Sequence, residues 1–274
     1  MTAVAVAAPR RSTLTRSAGL GLGVAMLWFS LLVLIPLLAI IVTASQGCWP
    51  AFWAAITNEQ TAAAIRLTVM HAFLVTAVNV VMGTVIAWVL VRDRFWGRSV
   101  LEVLIDIPFA LPTIVAGLVL LALYGSDGPF GISVANRSSA VFLAFLFVTL
   151  PFVVRAVQPV LEEIEVEVEE AAVSLGASRF TVLRRIILPS LAPAIIAGAT
   201  LSFARAMGEY GSLVLLSGNL PFQTEVTSVR MLGSIENDNL PGAAAIAAVL
   251  LVIALAVIVT LDVVQRKVSG RGRG

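Results

Sequence analysis

Apolar residues fill six stretches of the chain, at about 19–43, 64–91, 99–124, 138–160, 191–217 and 242–264, and polar or charged residues separate them. A helix crossing about 30 Å of hydrocarbon needs roughly 20 apolar residues at about 1.5 Å each, a length that all six stretches reach. Spans of a β-barrel would instead alternate over about ten residues, and that alternation is missing. The pattern therefore predicts six membrane-spanning helices, several long enough to tilt. A mean hydropathy of +1.00 and an apolar fraction of 59% exclude a soluble domain, which must clothe its surface in polar side chains.

Charge predicts the orientation. Basic residues cluster before the first stretch (Arg10, Arg11, Arg16), after the second (Arg92, Arg94, Arg98), after the fourth (Arg155, Arg179, Arg184, Arg185) and in the tail (Arg266, Lys267, Arg271, Arg273). These are 14 of the 18 basic residues, whereas the other links hold only Arg137 and Arg230. Lys and Arg mark the cytoplasmic side. Both termini are thus expected in the cytoplasm, with 1–18 and 265–274 as tails around a membrane domain at 19–264. The first stretch is too long for an excised signal peptide and is expected to remain as an anchor. Trp49 and Trp53 would mark the outer interface, Trp88 and Trp96 the inner one. Although the net charge is +2, the arginines are scattered singly between apolar runs and offer no face to nucleic acid.

Inside the predicted spans, the charged residues Arg205 and Glu209 cannot face lipid, where each would cost about 2.5–3.5 kcal/mol. At i,i+4 they share a helix face, either as a structural pair or with Arg205 on a pathway for an anion. Gly208 and Gly211 beside them allow close backbone approach or local unwinding. Pro108 and Pro112 predict a kinked, protein-buried third span, because a missing N–H strands a carbonyl that neighbours must satisfy. Glu102 and Asp106 are expected to pair with Arg92 or Arg98, and His71 and Asn79 to hydrogen-bond between helices. The single Cys48 and single His71 can build neither an internal disulfide nor a zinc site. An intramembrane protease would need a Ser–His pair, paired aspartates or a His-Glu-x-x-His site, and His71 stands in no such motif. The only lysine, Lys267, is followed by Val268, so no phosphate-binding Gly-Lys-Ser/Thr loop is present.

Between the fourth and fifth stretches lies a strongly charged segment, 162–190. Glu162, Glu163, Glu165, Glu167, Glu169 and Glu170 come first and Arg179, Arg184 and Arg185 last, an order that suits helix dipoles. The like-charge pairs Glu163–Glu167 and Glu165–Glu169 suggest a helix in need of a partner. Gly176 permits a sharp reversal, Ser178 can cap the helix after it, and Pro189 is expected to break the chain direction before the fifth span. The reading is helix, turn, helix along the inner membrane face.

The segment resembles the cytoplasmic loop of ABC importer permeases. Glu170-Ala171-Ala172, Gly176 and then Ile186, Leu188 and Pro189 match that family's Glu-Ala-Ala, Gly, Ile-x-Leu-Pro pattern without departure. The stretches "AWVLVRDRFWGRSVLEVLIDIPFALPTIVAGL", "FARAMGEYGSLVLLSGN" and "TEVTS" resemble the sulfate/molybdate oxyanion branch, closest to its T-type sulfate/thiosulfate permeases. A molybdate or tungstate permease is the alternative within the branch; a non-transporting membrane scaffold would leave the loop pattern unexplained. The resemblance implies an all-α, six-span type I importer permease fold and a coupling role for the loop. It implies a heterodimer with a sister permease, two copies of an ABC ATPase and an extracytoplasmic sulfate-binding protein docking on loops 125–137 and 218–241. This chain would then bind no cofactor, since ATP and Mg are used by the partner ATPase, and it would be no enzyme but a multi-pass plasma-membrane subunit working by alternating access.

Overall fold

The computed structural model describes residues 16–46 and 48–271; Arg10, Arg11 and Arg273 of the two tails lie outside them. The described residues form helices and no strands. In chain order these are α1 (Ala18–Ser45), α2 (Cys48–Thr57), α3 (Glu59–Arg92), α4 (Arg98–Ala110), α5 (Thr113–Tyr124) and α6 (Ser138–Glu163). There follow α7 (Val166–Ser174), α8 (Arg179–Met207), α9 (Gly211–Leu216), α10 (Thr227–Glu236) and α11 (Leu240–Arg271). Five of them, α1, α3, α6, α8 and α11, are long and apolar enough to cross a membrane, and α4 with α5 makes a sixth if that bent pair is one span.

The centre of the molecule is the junction of α3, α6 and α8. Here the fully buried Asn79 donates its amide hydrogens to Thr149 Oγ1 at 2.7 Å and Ser202 Oγ at 3.3 Å. One turn along each helix, Gly83 of α3 and Gly198 of α8 flank Val153 of α6, and a Cβ on either glycine would lie 2.9 Å from Val153 atoms. Small residues let the backbones approach, and the polar triad fixes the register at which they do so. On the outside, α11 packs against α8 and α1. The apolar core of α1 has no buried positions, so its side chains are left for lipid.

Prolines shape the spans unequally. Pro112 forces Leu111 into extended backbone (φ −86°, ψ 134°), and the chain turns by 119° between α4 and α5. The third stretch is therefore two helices rather than one kinked helix, and it is not protein-buried, since Val103, Leu104, Phe109 and Leu118 are exposed. Pro108 sits inside α4 without ending it. Pro189 does not break the chain: a π turn at Leu183–Ile187, closed by the Leu188 N–H on the Leu183 carbonyl, carries α8 straight through it. The wider turn makes room for a ring that would clash with the carbonyl four residues back. Pro36 in α1 follows a π turn at Ser30–Leu34 in the same way.

The fifth stretch, expected to be continuous over 191–217, ends as a helix at Met207 and resumes as the short α9. The region 218–241 is not a simple loop either, because it contains α10, whose Thr227 and Ser228 are buried against the bundle.

Gly198→Val should lower the unfolding temperature of the detergent-solubilised protein, with a loss of about 1–3 kcal/mol, because the added carbons meet backbone atoms of α6. Gly233→Ala on α10 has open space beside it and should be neutral or stabilising by up to about 1 kcal/mol in the same melt.

Candidate functional site

Two regions gather the residues that the sequence singles out. The first is the break between α8 and α9. Arg205 is on the last turn of α8, and its Nη1 lies 2.6 Å from Glu209 Oε2. The two residues differ in exposure: the Glu209 side chain is 1% exposed and that of Arg205 30%. The other Glu209 oxygen accepts from both the Ser212 N–H at 2.9 Å and the Ser212 hydroxyl at 2.8 Å, which ties the carboxylate to the first turn of α9. The Glu209 carbonyl in turn accepts from the Ser228 hydroxyl of α10 at 2.7 Å. The carboxylate is held through Oε1, while Oε2 is buried with only the Arg205 guanidinium beside it, and the partly open arginine keeps donors to spare.

Gly208 and Gly211 act differently in this break. Gly208 lies in the unwound turn with open space beside it. Gly211 lies against Thr113 and Ile114 at the start of α5, so that any Cβ there would collide with them. Gly117 of α5 makes the reciprocal contact, where a Cβ would sit 2.5 Å from the Ser212 carbonyl oxygen. The two broken spans thus cross where both lack side chains. Near them His71 bonds Ser138 Oγ through Nε2 at 2.9 Å and Thr68 accepts from the Thr227 N–H at 2.9 Å, so α3, α6 and α10 are cross-linked by polar groups.

The second region is the charged segment. α6 ends at Glu163, and extended backbone at Ile164 and Glu165 precedes α7. Glu163 and Glu167 therefore lie on separate helices and their expected repulsion within one helix does not arise. Glu169 is neutralised by Arg92 of α3 at 2.5 Å, and Arg92 also donates to the Ile164 carbonyl at 3.2 Å. Arg92 is accordingly not the partner of Glu102 or Asp106: Glu102 pairs with Arg98 at 3.0 Å, and Asp106 pairs with Arg155 of α6, whose Nε donates at 2.9 Å.

Gly176 has φ +89°, a region that favours glycine. Its N–H bonds the Val173 carbonyl and the next N–H, of Ala177, bonds that of Ala172, which closes the end of α7 in a Schellman arrangement. Ser178 then caps α8 by accepting from the Thr181 N–H at 3.2 Å. Glu170 and Leu188 line an open cavity of about 1140 Å³ between α7, α8 and α3, while Ile186 turns toward the core and Pro189 stays exposed. Leu175 (90% exposed) and Phe180 (68%) project outward at the reversal.

Reading the sequence missed Ser212, Ser228, Thr149 and Ser202. Only Ser212 had a local signal, its position three residues after Glu209 at the start of a helix. The others come from helices far apart in the chain.

The described residues thus form an all-helical bundle with a broken, arginine-bearing span and a charged helical reversal. Residues 79–270 match the family described as binding-protein-dependent transport system inner membrane component. The chain belongs to that family. It is 41% identical over 259 residues to the sulfate transport system permease protein CysT of Salmonella typhimurium, covering 92% of this chain and 94% of the relative. It is 45% identical over 227 residues to the probable sulfate transport system permease protein cysT of Chlorella vulgaris, covering 80% and 85%. Among solved structures, a bacterial ABC transporter involved in the import of alginate matches with a TM-score of 0.75 at 16% identity over 91% of this chain and 94% of that one. The inward-facing MetNI methionine ABC transporter matches with a TM-score of 0.55 at 17% identity, over 77% and 99%. The type I importer permease fold holds for this chain.

Because Glu209 satisfies two groups of Ser212 besides facing Arg205, Glu209→Ala should destabilise the solubilised protein more than Arg205→Met, by about 1–3 kcal/mol. Thermal melts of the two variants in one detergent check the order.

Proposed function

We propose that the chain carries sulfate or thiosulfate across the plasma membrane as one permease of an ATP-driven importer, by alternating access. The observation that carries this reading is Arg205: a guanidinium at the end of a broken span, held on one side by Glu209 and open on the other, beside the empty flank of Gly208. Such a group complements a dianion without leaving a bare charge in the membrane between transport events. The sulfate permease relatives, aligned over most of the chain, support the choice of anion.

In this reading α7, the Gly176 turn and the start of α8 are the coupling element. Leu175 and Phe180 enter a groove on an ATPase subunit, and Arg92–Glu169 transmits the push to α3. ATP and Mg act on that partner. A sister permease completes a heterodimer on two ATPase copies, and an external sulfate-binding protein delivers the anion at the end opposite the basic residues. The basic end is cytoplasmic, with both termini there.

Arg205→Met in the assembled transporter should cut sulfate uptake by about tenfold or more while assembly persists. Restored uptake in Arg205→Met combined with Glu209→Gln, when either alone abolishes it, would assign the pair a structural role instead. Uptake into vesicles holding all partners, compared across sulfate, thiosulfate and molybdate, names the anion.

Gly176→Asp should uncouple, because a residue with a Cβ at positive φ costs about 1–2 kcal/mol and the turn sets the position of Leu175. ATPase co-purification and uptake per ATP hydrolysed read this out; normal values for both would make the segment a solvated linker. After Cys48→Ser, a cysteine at 175 should react with an impermeant reagent only in opened cells and one at 222 in intact cells, both positions being exposed. The reverse result would invert the topology.

A further inference from the structure

The end of the bundle opposite the basic residues holds a cavity of about 350 Å³ that the transport reading leaves unused. It lies between α2, the N-termini of α3 and α11, and α10. Phe52 and Ile246 supply apolar wall, and the polar lining comes mainly from Arg230, Thr61, Asn58 and Asn239. The charged residue in this lining is Arg230, and no carboxylate of the described residues joins it.

Arg230, Asn58 and Asn239 are each held so that they present donors. Arg230 Nε donates to the buried Thr61 hydroxyl at 3.3 Å, which pins the guanidinium, and its two terminal nitrogens carry no protein partner among the described residues. Asn58 uses its side-chain oxygen to accept the Gln60 and Thr61 N–H groups at the start of α3, at 3.1 and 3.3 Å. Asn239 does the same for the Gly242 N–H at the start of α11, at 3.0 Å. Because a backbone N–H needs an acceptor, these contacts commit each carboxamide oxygen to its helix and leave each NH₂ as the free end. The two helices, 34 and 32 residues long, also direct their positive dipole ends here. The buried Glu225 is held by Gln60 Nε2 at 2.7 Å.

We infer that this cavity is a binding site for a tetrahedral oxyanion, with Arg230 as its charge partner and the Asn58 and Asn239 amides as flanking donors. Acceptor-only ligands suit it: sulfate arriving at the outer mouth, or the phosphate of a lipid headgroup reaching in beside α2. The site itself does not depend on the transport reading; only the naming of sulfate as its occupant does.

The test uses the full chain in phosphate-free maltoside detergent. Thermal unfolding is followed against sodium sulfate, against sodium chloride at equal ionic strength, and against added phosphatidylglycerol, with native mass spectrometry counting bound lipid. Wild type should be stabilised by sulfate beyond chloride, whereas Arg230→Gln should need about tenfold more sulfate for the same shift. Asn239→Asp keeps the acceptor that caps α11 but places a carboxylate at the cavity; it should lose the response equally, and it serves if Arg230→Gln fails to fold. A response to phosphatidylglycerol alone, abolished by the same two substitutions, upholds the site with lipid phosphate as its occupant. Variants that respond as wild type does, or a wild type that responds to neither ligand, overturn it. A sulfate response lost in Arg205→Met but kept in Arg230→Gln also overturns it and leaves the Arg205 proposal standing.

Discussion

The buried Glu209 carboxylate ties the break between α8 and α9 to the helices around it. A span that unwinds inside an apolar surrounding exposes N–H and carbonyl groups that water cannot reach, and each must find a partner within the protein. Glu209 answers this at one point: one oxygen receives both polar hydrogens of Ser212, the other faces Arg205, and its own carbonyl takes the Ser228 hydroxyl. With α9 so anchored, Gly211 and Gly117 seat it against α5, and its last carbonyl, that of Leu216, accepts the Asn136 N–H before α6 begins. The break, the crossing and the turn into α6 meet at this one side chain and its contacts with Ser212, Ser228 and Arg205.

The same constraint governs the helices that do not break. Asn79 binds α3 to α6 and α8 because its amide donors have no water to turn to, and Thr149 and Ser202 are the hydroxyls within reach. Val153, locked between Gly83 and Gly198, makes the packing at that level a matter of backbone contact rather than side-chain fit.

Much of this was legible in the sequence where the signal is local. Helix-length apolar runs, the glycine between an acidic and a basic helix, and the cap at Ser178 each depend on residues within a few positions of one another, and the structure has φ +89° at Gly176 and a capping bond at Ser178. His71 and Asn79 were legible as interhelical hydrogen-bonding groups because a polar side chain in a long apolar run must find a partner. Proline was misleading: Pro112 ends a helix, Pro108 lies within one, and Pro189 is bridged by a π turn, although the local sequence effect is the same for all three. What differs is the backbone around each: Leu111 is extended before Pro112, the helix runs on around Pro108, and the π turn at Leu183–Ile187 precedes Pro189.

By itself, then, the sequence determined an all-helical membrane chain, the approximate positions of its apolar helices and the charged reversal between α6 and α8, since hydropathy, helix dipoles and a glycine at positive φ act over short distances. Only the tertiary structure decided that 191–217 is two helices, that Asp106 meets Arg155 and Glu169 meets Arg92, and that Arg230 shares a cavity with Asn58 and Asn239. Those outcomes turn on which distant helix comes within about 3 Å of a given polar atom. No window of neighbouring residues contains that distance.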